Sequence, residues 1–171
     1  TQRRQMYQWA IDGPPRLPQL VDPKTAFPEA KSIIVAVLDY FKEAFPSDMA
    51  GKIGRLYLAH GGAPPYPMHK ARFRLMQEFL AQRGMRVGRG GAPARLAGAR
   101  AGVTTYGKNC FAFAEGIGSF IFLDVYLVDV ELEYDAPTMT VPCPAKCRVC
   151  LDACPTGALY EPLRMDPTRC I

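Results

Sequence analysis

Ser32-Ile-Ile-Val-Ala-Val-Leu38, held between Lys31 and Asp39, is a nearly continuous run of apolar and mostly β-branched residues. A run of that length with no polar alternation predicts a central strand buried on both faces. The clearest helix lies downstream, from Met68 to about Arg83. Leu75, Met76, Phe79 and Leu80 fall at helical spacing, and Gly84 ends it. Pro93 to Ala101 reads as a short helix of small residues. Ser119 to Glu133 alternates in its later part (Tyr126, Val128, Val130, Leu132), which predicts a half-buried strand. Arg55-Leu-Tyr-Leu-Ala59 fits a strand or part of a helix. Pro14, Pro15, Pro18 and Pro23 break any regular structure before Pro28. Helices mixed with strands that are not sequence neighbours indicate an α+β class, expected as a sandwich.

The bulk properties narrow what such a domain can be. The chain has 171 residues, 49% hydrophobic and 22% charged, with a formal net charge of +5. That suffices for one sizeable core and excludes a disordered chain. No run of 18 apolar residues occurs, so a membrane-spanning helix is not expected. Arg3-Arg4 lacks the apolar segment of an export signal, and a reducing cytoplasm is the expected compartment.

Five of the six cysteines lie from Cys143 onward. Cys143-Pro-Ala-Lys-Cys147-Arg-Val-Cys150-Leu-Asp-Ala-Cys154-Pro155 has the spacing C-x3-C-x2-C-x3-C-P, and Thr156-Gly157-Ala158 completes the turn. Short gaps of this kind let three thiolates reach one iron–sulfur cubane, while a fourth, followed by Pro, serves a neighbouring cluster. The usual bacterial run has two residues in the first gap, so this chain carries one extra. Zinc would pair two C-x2-C knuckles across a longer interval. Disulfides suit a different compartment. The pattern therefore predicts one or two [4Fe–4S] clusters. Cys170 follows sixteen positions after Cys154. Cys110, alone beside Phe111, reads as a small buried hydrophobe.

Three stretches together resemble the epoxyqueuosine reductases and their relatives, the cobalamin-dependent reductive dehalogenases. They are Ala97-Gly-Ala-Arg-Ala-Gly-Val-Thr-Thr-Tyr-Gly-Lys-Asn109, then Gly118-Ser-Phe-Ile-Phe-Leu-Asp-Val-Tyr-Leu-Val-Asp-Val-Glu-Leu132, and the cysteine block continued through Asp166-Pro-Thr-Arg-Cys170-Ile171. The resemblance runs from about Ala94 to the last residue and extends more weakly back to Ile33. It implies a nitroreductase-like cobalamin-binding sandwich over residues 1–137, followed by the start of a ferredoxin-like [4Fe–4S] domain over residues 138–171. It also implies that Cys143, Cys147 and Cys150 hold a first cluster, and that Cys154 and Cys170 belong to a second. Further ligands would come from a longer polypeptide, so the chain is expected to be a fragment. Gly107, Lys108, Asn109, Gly118 and Ser119 are the implied contacts to cobalamin, the glycine segment offering backbone N–H groups to the corrin. Lys108 is read either as such a contact or as a solvated charge.

The departures bear on substrate. The family carries an acidic Asp-Thr/Ser-x-Pro stretch, where Asp is the expected proton donor. Here Arg89-Gly-Gly-Ala-Pro93 stands in its place, without a carboxylate. The family's Asp-Tyr-His aligns with Pro67-Met68-His69, which keeps only the histidine. Tyr106 is then the candidate catalytic proton donor, as in the dehalogenase-like branch. On this reading the chain is a cobalamin- and [4Fe–4S]-dependent reductase, fed by a donor such as a ferredoxin or flavodoxin. A small organic substrate is expected in preference to tRNA. The alternative is a ferredoxin-like electron-transfer or maturation protein without substrate chemistry.

Two charge features complete the reading. Eight Lys/Arg lie between His69 and Arg100 against Glu78 alone. They are taken as a solvated helix face, with steering of RNA as the alternative. Five acids between Asp124 and Asp135 offer a docking patch for an electron donor. His60, His69 and Tyr66 are assigned ordinary packing or surface roles.

Overall fold

The computed structural model describes residues 22–41, 46–52, 54, 68–89, 91–137 and 140–170. The Arg55–Ala59 segment, His60, Tyr66 and the proline-rich N-terminal stretch through Val21 lie outside them, as does the side chain of His69. In chain order the elements are α1 (Pro23–Ala26), β1 (Ser32–Asp39), a 3-10 turn (Ser47–Met49), α2 (Met68–Gln82), β2 (Val87–Arg89), α3 (Ala94–Arg100), β3 (Thr105–Tyr106), β4 (Ala112–Phe113), β5 (Ile121–Val128), α4 (Val149–Asp152), β6 (Leu159–Glu161) and β7 (Arg164–Met165).

The main sheet has the order β1-β5-β2 and is antiparallel throughout, with Ser32 opposite Val128, Asp39 opposite Ile121, and Val87 also opposite Val128. The two long strands exchange their expected places. β5 is the central strand, and its residues Asp124 to Val128 are buried on both faces. β1, expected at the centre, pairs only with β5 among the described residues, and most of it is half-buried. Apolar side chains on both faces of β1 say that both faces are covered; they do not say which strands flank it. The alternation expected through Glu133 stops at Val128, and Val130 is exposed.

Period-two geometry places Tyr126 and Val128 on one face of β5, and Leu123, Val125 and Leu127 on the other. α2 covers the first face. Its residues Phe73, Met76 and Leu80, spaced three and four apart, gather around Tyr126 and Val128 together with Ile34, Ala36 and Val87. Full burial of Leu80 and of Val128 contributes about 1.5–3 kcal/mol each, and the partly buried side chains around them contribute less. Gly84, at φ +78°, adopts the left-handed conformation that ends the helix. The inward stripe thus runs through Phe73, Met76 and Leu80. Leu75 and Phe79, expected inside, are exposed, and the Arg83 guanidinium lies 3.4 Å over the Phe79 ring. α3 covers the opposite face. Gly98 sits so close to Thr104 and Leu123 that a Cβ there would meet Thr104 Oγ1 at 2.7 Å. Helices on both sides of a sheet give the mixed helix-and-strand architecture expected.

Arg86 fastens the edge of this sheet. Its backbone N–H and Nε donate to Asp129 at 2.8 and 2.9 Å, and Nη1 donates to Glu29 at 3.2 Å. Hydrogen bonds from Arg86, with its positive charge, hold the Asp129 carboxyl below the usual carboxylate range. Asp124 is buried beneath α2's face of the sheet. The expected five-acid patch is therefore reduced to Glu131, Glu133 and Asp135 at the surface.

Candidate functional site

The cysteine segment is organised by short local elements. One turn of helix, α4, carries Cys150, with Leu151 beside it buried as an anchor. The turn after Cys154 then wraps back on that residue's sulfur. N–H groups of Leu159, the Thr156 hydroxyl, and the N–H groups of Thr156 and Ala158 hold the Cys154 thiol below its ordinary range. Gly157, at φ +59°, allows this wrapping, and Arg169 packs where a Cβ would stand. The β6–β7 hairpin returns the chain, and Asp166 N–H donates to Ala158 O at 2.8 Å. Asp166 also caps Thr168 through its backbone N–H and hydroxyl at 2.9 and 2.7 Å. These bonds bring the Arg169-Cys170 end back onto the Cys154 turn. All six cysteines are half-buried and none is in a disulfide. Among the described residues, no three His, Cys, Asp or Glu side chains form a group able to hold a single metal ion.

The glycine segment meets the cysteine segment at one residue, Lys108. Its backbone N–H donates to Cys143 Sγ at 3.4 Å, and its carbonyl accepts from Leu163 N–H at 2.9 Å. Its ammonium donates to the carbonyls of Pro144, Ala145 and Cys147 at 2.8, 2.6 and 2.8 Å. Neither sequence expectation for Lys108 included this role, because its partners lie more than 30 positions away.

Beside this junction is a cavity of about 550 Å³ lined by Pro93, Ala94, Arg95, Leu96, Tyr106, Cys110 and Leu163. That volume is typical of a small-ligand site. Tyr106, on β3 opposite Ala112, is half-buried in its wall. Cys110 lines the cavity instead of lying in the core, and it and Leu163 are the described non-glycine residues with positive φ, +66° and +61°. Arg95 Nη1 donates to the Cys110 carbonyl at 2.6 Å and braces that bend. Arg95, expected on a solvated basic face, instead lines this cavity, as does Leu163, and no local motif marks either residue for it.

The other expected cofactor residues are placed as follows. Gly107 is buried against the ring of Phe113, where any side chain would collide. The Asn109 side-chain carbonyl accepts from Phe111 N–H at 3.1 Å, an Asx-type turn. Gly118 closes the turn from Ala114 with φ +87°, and Ser119 follows at its exit, half-buried. The N–H groups of Gly102, Val103, Thr104, Gly107 and Lys108 all donate within the protein. No described helix is long and apolar enough to cross a membrane.

No family model matches the chain. Curated relatives do. The epoxyqueuosine reductase of Cellulophaga algicola is 31% identical over 157 residues, covering 88% of this chain and 50% of the relative. That of Bacillus subtilis is 31% identical over 166 residues, covering 92% and 42%. A crystal structure of epoxyqueuosine reductase with an epoxyqueuosine-modified tRNA stem loop superposes with a TM-score of 0.72 at 26% identity, covering 98% of this chain and 48% of that one. The chain thus spans about half the length of the relatives it matches. Their reductase name agrees with the oxidoreductase expectation. The preference for a small substrate over tRNA is overturned, since the solved neighbour holds a modified tRNA stem loop. The missing carboxylates that prompted it concern proton supply at one atom and say nothing about the surface that grips an RNA. By sequence and by fold, this chain is a homologue of the epoxyqueuosine reductases.

Proposed function

We propose that the chain is part of a reductase acting on epoxyqueuosine in tRNA, with [4Fe–4S] clusters and cobalamin as its cofactors. The observation that carries this reading is the superposition, over almost the whole chain, on an epoxyqueuosine reductase solved with its modified tRNA stem loop.

The cysteine segment suits iron–sulfur clusters. Cys143 and Cys154 both receive hydrogen bonds at sulfur, the arrangement that sets cluster potential. Four thiolates on one zinc ion would stand roughly 3.8 Å apart, from Zn–S bonds of about 2.3 Å. A cubane places each thiolate on a different iron and spreads them further. Cys143, Cys147 and Cys150 would hold the first cluster, with Cys154 and Cys170 contributing to a second. For the corrinoid the fit is partial: the Lys108 ammonium, the Asn109 side-chain carbonyl and the N–H groups of Gly107 and Gly118 are already engaged, which leaves Ser119 as the assigned contact. The clusters supply single electrons, and a bound corrinoid supplies a low-valent cobalt reductant.

The chain's own part is to hold the substrate and a proton. Converting an epoxide to an alkene consumes two electrons and two protons and releases water. Tyr106, in the cavity wall, is assigned one of those protons, because the Arg89–Pro93 stretch has no acid to give it.

The test is anaerobic purification with cobalamin supplied, followed by iron, sulfide and cobalt analysis. Reduction of epoxyqueuosine-containing tRNA by a chemical reductant is then followed by mass spectrometry of the nucleosides. Iron, sulfide, cobalt and queuosine formation support the reading. Iron and sulfide without corrinoid uptake would move it to an electron carrier, and zinc alone would sink it.

A further inference from the structure

The sequence left the extra residue in the first cysteine gap without a role, and the structure supplies one. A lysine ammonium has three N–H donors. At Lys108 each meets a backbone carbonyl of the Cys143–Cys147 loop, at 2.6 to 2.8 Å. The loop closes on itself through Cys147 N–H to Pro144 O at 3.0 Å, which turns the carbonyls of residues 144, 145 and 147 toward one point. The same lysine's backbone N–H reaches Cys143 Sγ. Both cysteines of the first gap are therefore fixed by one residue of the preceding glycine segment. A gap of two residues would remove one peptide unit from the stretch that supplies these carbonyls.

We propose that Lys108 is a positioning residue for the first cluster, and that the lengthened Cys143–Cys147 gap is a carbonyl receptor for its ammonium. Charge-assisted bonds to three carbonyls hold the loop closed before any cluster is built. They also place a fixed positive charge beside an anionic cluster, which stabilises its reduced form. This inference rests on the cluster reading above.

The test uses the anaerobically reconstituted protein and its Lys108→Met and Lys108→Arg variants. Expected for Lys108→Met are iron loss to a chelator about tenfold faster and a more negative midpoint potential. In Lys108→Arg the charge persists, but a planar guanidinium cannot meet three convergent carbonyls. Its potential should return toward the parent value while iron loss stays fast. A merely structural lysine would not separate these two readouts. Deleting Ala145 should speed iron loss in the parent and add little in Lys108→Met. Equal iron retention and equal potential in parent and Lys108→Met would overturn the proposal. If the parent takes up no iron and sulfide, the cluster reading fails by itself. Alkylation of Cys143 and Cys147 in the cluster-free chain, located by mass spectrometry, then decides the clamp: several-fold faster labelling in Lys108→Met upholds it, and an unchanged rate overturns it.

Discussion

The ring of Phe73 stacks on the ring of Tyr126, with centroids 4.6 Å apart and planes inclined by 19°. This contact joins α2 to the central strand at the point where the core is most completely closed, since Tyr126, Leu127 and Val128 are essentially inaccessible. Burial, and then the negative charge of Asp124, push the Tyr126 phenol above its usual range, so it stays neutral throughout the working pH range.

Truncating that ring should therefore cost more than any surface change in the chain. Tyr126→Ala is expected to lower unfolding free energy by about 3–5 kcal/mol, the usual loss for a buried aromatic. Urea titration of the cluster-free chain measures it. A loss below about 1 kcal/mol would mean that α2 does not depend on the sheet.

Thr104 is 2% exposed, and its Oγ1 has no hydrogen-bond partner among the described residues. Thr104→Val keeps the shape and removes the buried hydroxyl. It should raise stability by about 1 kcal/mol, since an unsatisfied buried polar group costs roughly 1–3 kcal/mol. Gly98→Val at the neighbouring close contact should do the reverse, by about 1–3 kcal/mol of overpacking. Thermal denaturation of the two variants should move in opposite directions.

The Arg86–Asp129 pair predicts a pH dependence of definite sign. The folded carboxyl titrates below its unfolded value, so its contribution is present above the unfolded pKa of about 3.9 and is lost as pH falls through the lower folded one. Asp129→Asn should flatten the stability–pH curve below about pH 4 and leave its shape near neutrality unchanged. Denaturation midpoints across the acid range provide the check, and parallel curves would remove the pair from any role in acid stability.

On the proposed function, Tyr106→Phe should separate proton supply from assembly. Iron, sulfide and corrinoid contents should stay at parent levels, while the rate of epoxyqueuosine reduction falls by about 10²–10⁴-fold, the usual worth of a positioned general acid. Rapid-quench assays on tRNA would read this. An unchanged rate would assign the proton to another group of the cavity or to water.

The features legible in the sequence are those fixed by neighbours a few positions away. The α2 helix and its stop at Gly84 follow from 3.6-residue spacing and a positive-φ glycine. The N–H wrapping of Cys154 follows from the Cys-Pro-Thr-Gly-Ala turn that immediately succeeds it. Spacing alone does not place Leu75 and Phe79, because apolar residues at helical spacing on two sides of a helix leave its rotation open. Only the sheet that it meets chooses Phe73, Met76 and Leu80.

By itself, then, the sequence determined the α+β class, the long helix and the cysteine run with its one-residue excess, because each is written in local spacing. The tertiary structure decided that β5 and not β1 holds the centre, that Tyr106 and Cys110 share one cavity, and that Lys108 fills the cysteine loop. Strand order depends on which partner completes the ladder and covers the faces. An ammonium finds its carbonyls only after residues 36 to 39 positions apart have been folded together. Local spacing carries no record of either choice.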